Sequence, residues 1–261
     1  MKKISILFAL VLTAGFAFGQ NVTDAKGLKQ GYWKKPSGEA GKIIFEGLFK
    51  DNKPQGIFKY YYPFDTVKAI IDFKKDGAYS YAKLFHPTGK LMAKGKYLGE
   101  SIKDSVWLYY DDLGVMMSKE TYTNGKKNGK AFVYFPNGKI AEEKNFKNDV
   151  QHGSLKQYYD GTKVKSEGNF IDGKQEGKSV FYYPNGIAAA SGFYKNGLKS
   201  GPWIYKSQDG KVTEKELYEY GILADKKTTD AFFSKNKVKD ETPAKPKEQK
   251  PAGSKPAPKK G

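Results

Sequence analysis

The chain contains no cysteine and no arginine, and only two histidines, His86 and His152, among 261 residues. Without cysteine there is neither a disulfide nor a thiol nucleophile, so an exported chain of this kind is held by packing and hydrogen bonds alone. Two histidines leave little material for a zinc site or a histidine-based catalytic centre. All 46 basic residues are lysine. Base-specific nucleic-acid contacts rely mainly on the arginine fork, so sequence readout is not expected. The lysine excess suits diffuse attraction to anionic surfaces; a compositional bias toward lysine with a gain in solubility is the plain alternative.

The one long apolar run stands at the start. Lys2 and Lys3 precede Ile4 to Phe18, and small residues Ala17 and Gly19 stand just before Gln20. This is the layout of a secretory signal over residues 1–20. The run is short of the roughly 20 residues of a membrane span, so a transmembrane anchor is the lesser reading. No cysteine follows it to take a lipid. The expectation is an exported, soluble protein, periplasmic, envelope-associated or secreted.

At the other end, residues 235–261 carry nine lysines, three acids, five prolines and no aromatic. Such a segment cannot bury enough apolar surface to fold and reads as a disordered tail. The formal charge of +18 falls to +16 without Lys2 and Lys3, and the tail holds +6 of it, leaving about +10 between.

What is there is repetition. An aromatic recurs at Phe49, Phe73, Tyr97, Tyr122, Phe146, Phe170, Tyr194 and Tyr218, at intervals of 24 or 25 residues. A second series, Tyr61, Phe85, Tyr110, Tyr134, Tyr158 and Tyr182, runs half a unit away. A fixed period in this range marks a stacked, open-ended array and shifts expectation from catalysis toward binding. In residues 177–200, Val180 to Tyr183 favour a strand, and Pro184-Asn185-Gly186 supplies a turn. A second extended stretch ends at Tyr194 and closes on Asn196-Gly197, a hairpin signal.

A turn every 12 residues or so leaves no room for crossover helices, so the fold class expected is all-β. It should be an elongated, single-layer antiparallel meander of about eight hairpins and 16 strands, roughly 75 Å long and coiled. Residues 21–30 lead in, 31–221 form the repeats, and 222–234 cap the end. Within that cap a short helix at 228–233 would cover the last strand with Phe232 and Phe233.

Between units the residues resemble the MORN repeat: a glycine, an aromatic two residues on, then glycines three and seven beyond it. Gly168, Phe170, Gly173 and Gly177 fit, as do Gly192, Tyr194, Gly197 and Gly201; Tyr122, Gly125 and Gly129 fit in part, with Glu120 in the first glycine's place. The period and the extra Pro-Asn-Gly turn look more like the bacterial MORN-variant group often labelled YwqK-type antitoxins. The resemblance covers residues 31–221 and implies the fold; fold likeness transfers no activity.

Strand parity separates the aromatics. The ladder of Tyr110, Tyr134 and Tyr158 lies on one face. Phe58 with Tyr60 and Tyr62, Trp107 with Tyr109, Tyr159, Phe181 with Tyr183, and Trp203 with Tyr205 form the candidate partner-binding face. Packing accounts for the regular ladder, since cross-strand aromatic pairs contribute about 0.2–1 kcal/mol each. The irregular set is expected to be partly exposed, suited to stacking on sugars or to contact with a protein.

Other chemistry is weakly signalled. His152 near Asp149 has no nucleophile beside it and reads as a loop residue, and His86 reads as a substitute for the aromatics of other units. The Asn-Gly and Asp-Gly pairs lack the ligand pattern of a calcium loop, and no phosphate-binding loop occurs. No catalytic residue, metal or cofactor is expected. Together these readings point to a non-enzymatic exported scaffold that binds a protein partner or an anionic glycan or lipid surface of the envelope. The alternative is an antitoxin-like protein with one dedicated partner.

Overall fold

The computed structural model describes residues 20–38, 41–236 and 238. The signal-segment reading, save Gln20, and most of the tail reading fall outside these residues. The strands are β1 (Val22–Thr23), β2 (Lys29–Pro36), β3 (Ile43–Lys50), β4 (Lys53–Tyr61), β5 (Val67–Lys74), β6 (Tyr79–Phe85) and β7 (Leu91–Leu98). There follow β8 (Ile102–Tyr110), β9 (Met116–Thr123), β10 (Lys126–Tyr134), β11 (Ile140–Lys147), β12 (Val150–Gln151), β13 (Gly153–Tyr158) and β14 (Val164–Ile171). The last are β15 (Lys174–Gln175), β16 (Gly177–Tyr182), β17 (Ala188–Lys195), β18 (Leu198–Lys206), β19 (Val212–Glu219) and β20 (Ile222–Leu223), before helix α1 (Lys226–Lys235). Every pairing is antiparallel and follows chain order, as a meander requires, in a single twenty-stranded sheet. The short pieces β12 and β15 are the first residues of β13 and β16, set apart where the chain bulges.

Two sets of turns stack the units. At the second turn, Asn124 and Gly125 both take positive φ, 48° and 84°, the backbone of a tight hairpin that asparagine and glycine adopt most readily. Each such tip donates an amide to a carbonyl one unit back: Gly125 N to Lys103 O (2.8 Å), Gly173 N to Gln151 O (2.9 Å), Gly197 N to Gln175 O (2.9 Å). At the first turn the tie runs forward through side chains. The hydroxyls of Tyr62, Tyr159 and Tyr183 donate to the carbonyls of Phe85, Tyr182 and Lys206 at 2.7–2.9 Å. His86 Nε2 does the same to Tyr110 O at 3.1 Å, the aromatic substitute that its position suggested.

The two faces differ. On one, Phe49, Phe73, Tyr97, Tyr122 and Tyr194 pack against Phe58, Trp107 and Trp203; Phe49–Phe58, Phe58–Phe73, Tyr97–Trp107 and Tyr194–Trp203 ring centroids lie 5.0, 5.2, 4.7 and 5.2 Å apart. The other carries the Tyr61 ladder, braced by glutamates of the adjacent strand. Tyr61 and Tyr32 both donate to Glu46 at 2.6 Å, Tyr158 to Glu143 at 2.7 Å and Tyr182 to Glu167 at 3.0 Å. Burial and the Glu46 carboxylate push the Tyr32 hydroxyl up to about 12.

Helix α1 closes the last edge. The Asp225 carboxylate caps it, accepting from Thr228 N (2.9 Å) and Thr228 Oγ1 (2.7 Å). Thr229 is buried against the sheet, and Lys215 Nζ of β19 stands 5.2 Å from the Phe233 ring. The helix begins two residues before the expected 228–233 and caps β19 as anticipated.

Candidate functional site

The ring-bearing face is organised by volume. Trp107, Trp203 and Phe58 are its most buried large side chains, at 0, 1 and 1% exposure. Each lies flat on a glycine of the preceding strand. A Cβ added at Gly95 would stand 2.3 Å from the Trp107 ring, one at Gly192 2.3 Å from Trp203, and one at Gly47 2.5 Å from Phe58. None of these three glycines has positive φ, so space and not backbone conformation demands them. The ladder is bulged at each of them, between Glu46 and Leu48, Lys94 and Lys96, and Ser191 and Phe193. Where the large ring is replaced by Ala82, the facing residue is Ile71 and the pairing of β5 with β6 runs without a bulge. Ala131 faces Glu120, with the pairing of β10 and β9 bulged between Lys127 and Ala131.

This corrects the expected exposure of Phe58, Trp107 and Trp203, which a partner cannot reach. Parity identifies their face correctly, but exposure is decided by the glycine beneath and by what lies above. Tyr62, Tyr159 and Tyr183 are corrected too. Each stands one residue past the end of its strand, at Tyr61, Tyr158 and Tyr182, where the two-residue parity no longer applies. These three tyrosines therefore sit at the first-turn edge as ties and leave the face. Tyr60, Tyr109, Phe181 and Tyr205 remain half-buried on it, with ring centroids 5.9–6.3 Å from Phe45 (Tyr60), Trp107 (Tyr109) and Trp203 (Phe181 and Tyr205).

Over the rings lie lysines, the residues that sequence reasoning missed. Lys199 Nζ stands 4.6 Å from the Trp203 ring, 4.6 Å from Tyr218 and 5.3 Å from Tyr205. It donates to Tyr205 Oη at 2.6 Å and Tyr218 Oη at 3.2 Å, and Tyr218 donates to Glu216 at 2.9 Å. Burial pulls the ammonium pKa down, but the two hydroxyls more than offset it, and the net shift is upward. Lys103 repeats the arrangement, 5.1 Å from each of Trp107, Tyr109 and Tyr122, and donates to Tyr109 Oη at 2.8 Å. Tyr109 and Tyr122 hydroxyls are 3.1 Å apart, Tyr122 donates to Glu120, and Lys127 donates to the other Glu120 oxygen at 2.7 Å. Burial first, and then the Glu120 and Tyr109 contacts, push Tyr122 strongly up, so it stays a neutral donor.

The two clusters share the same five residues, a lysine, a tryptophan, two tyrosines and a glutamate, and each member of the second follows its counterpart by 96 residues, four repeats. The 24-residue spacing of Lys103, Lys127 and Lys199 was visible in the sequence, though submerged among 46 lysines. Among the described residues no group of three potential metal ligands comes together, and no helix is long and apolar enough to cross a membrane.

Residues 127–148 and 175–196 match the MORN repeat variant, one unit each of the array. No curated protein matches the chain. Among solved structures, a Staphylococcus aureus TarM mutant in complex with fondaparinux, alpha-GlcNAc-glycerol and UDP aligns over 55% of this chain and 20% of that one. Its identity is 14% and its TM-score 0.17, too low to carry any argument.

Proposed function

We propose that this chain is a non-enzymatic, exported repeat scaffold whose ring-bearing face holds a protein partner or an anionic polymer of the cell envelope. The supporting observation is the pair of lysine-capped aromatic clusters. Each offers a charged ammonium, tyrosine hydroxyls and half-exposed rings on a rigid sheet, groups suited to an extended anionic or amphipathic ligand. Retention of the purified chain by envelope fractions, and its release by salt, tests the reading. A form lacking residues 239–261 should still be retained if the sheet carries binding. Capture of one stoichiometric protein would favour the antitoxin-like alternative. Retention of neither polymer nor protein at low salt would overturn the scaffold reading.

A further inference from the structure

The clusters are the ends of a longer row. Lys103, Lys127, Gln151, Gln175 and Lys199 occupy the same position in five successive units, each placed directly opposite an aromatic of the main ladder: Tyr97, Tyr122, Phe146, Phe170 and Tyr194. All five are nitrogen donors, and all are half-buried on the ring-bearing face. Successive members stand two strands apart, about 10 Å, so the row spans about 40 Å. Two of its members keep unused donor capacity. Lys103 donates to one hydroxyl only, and Gln151 Nε2 is buried with no hydrogen-bond partner among the described residues. A buried orphan donor is rare enough to need an explanation.

We propose that this row is a track for one strand of a linear carboxylated glycan, laid across the β-strands, with the two lysine–tryptophan clusters as its end stations. The inference rests on the scaffold reading above and names its ligand. Charge selects an anionic chain, since no row member is acidic and the charge between the terminal segments is about +10. Spacing selects a polymer whose acceptors recur about every 10 Å, as the disaccharide repeat of an extended uronic-acid glycan does. A flat bilayer or a DNA duplex would meet the lysines without any such periodicity. Glu120 and Glu216 lie at the stations and already hold hydroxyls and lysines, so each station binds weakly alone and the track gains by spanning both.

Alginate oligomers of graded length, followed by tryptophan fluorescence of the full chain, test this. Affinity should rise with length and step up about tenfold or more once one oligomer reaches both stations. Lys103→Gln or Lys199→Gln should abolish that step and leave short-oligomer binding within about threefold, while Lys199→Arg, which keeps the charge, should restore most of it. Lys59→Gln, on the opposite face, should change nothing, and thermal denaturation would confirm that each variant folds. Length-independent affinity, an equal effect of Lys59→Gln, or equal binding to anionic vesicles and duplex DNA would overturn the track while leaving a diffuse anionic scaffold standing. Absence of binding to every polymer and protein tested would overturn both.

Discussion

Gly95→Ala is the sharpest perturbation of this fold. A single methyl group would stand 2.3 Å from Cδ2 and 2.4 Å from Cε2 of Trp107, more than an ångström inside contact distance. The obstacle is a fully buried indole, not the free end of a flexible chain. Overpacking of this kind costs about 1–3 kcal/mol. Moving the indole also strains its Nε1 bond to Lys96 O, 3.0 Å, worth about 1 kcal/mol. It disturbs the Lys103 contact as well, worth roughly another 0.5–1 kcal/mol. Alanine's better fit to an extended backbone returns about 0.5–1 kcal/mol. The net expectation is a loss of about 3 kcal/mol.

The decisive measurement is a double-mutant cycle by urea denaturation, read by circular dichroism because Trp107 is itself changed. Trp107→Ala alone should cost about 3–5 kcal/mol. In that background Gly95→Ala should become neutral or stabilising, and Gly95→Ile would recreate the Ile71–Ala82 pair that the chain already uses. Equal effects of Gly95→Ala in both backgrounds, within about 0.5 kcal/mol, would refute the clearance argument. Because repeat arrays can unfold in parts, midpoints of local and global probes should be compared.

Other expectations follow from the same geometry. Gly201 has φ of 70° with open space around it, so Gly201→Asn should be nearly tolerated, whereas Gly192→Asn should not; denaturation midpoints separate the two glycine classes. The hydroxyls of Tyr32 and Tyr61, aided by Lys34 and Lys59, hold Glu46 below its ordinary 4.5, so its contribution is present above that value and lost as pH falls through the lowered one. Acid destabilisation should therefore be shallower in Glu46→Gln. Tyr183→Phe removes the tie to Lys206 O and should cost about 1 kcal/mol, without changing the far-ultraviolet spectrum. Asp225→Ala should weaken α1 by about 1 kcal/mol and speed proteolysis of the C-terminal edge first.

The ladders, turns and meander were legible because their residue types are demanded locally. Glycine and asparagine answer to positive φ at Asn124-Gly125, and the aromatic ladder answers to cross-strand packing. Exposure was not legible. Parity reports which side a residue faces but not what covers it, and Trp107 is covered by Lys103 and neighbouring rings. Gly95 and Gly192 were visible as repeat glycines, yet their purpose as clearance needs the partner residue, which lies on the next strand. Tyr62 and Tyr183 were misplaced because each lies one residue past its strand, in the turn, and where a strand ends leaves no strong mark in the sequence.

The divergence among units separates what the fold needs from what it does not. Between Trp107 and Trp203 the same position holds Ala131, Leu155 and Ser179, and the sheet continues through all three. A unit therefore needs no tryptophan there, although Ala131 still follows a bulge and Ser179 still faces a glycine, Gly168. The two units that do carry it also carry the same lysine, two tyrosines and glutamate, 96 residues apart. Packing alone would reward any volume-matched pair, as Ile71 with Ala82 shows, and would not select the same five side chains twice. Recurrence of a dispensable arrangement at two stations of one row is the pattern expected of a ligand that touches the array in more than one place.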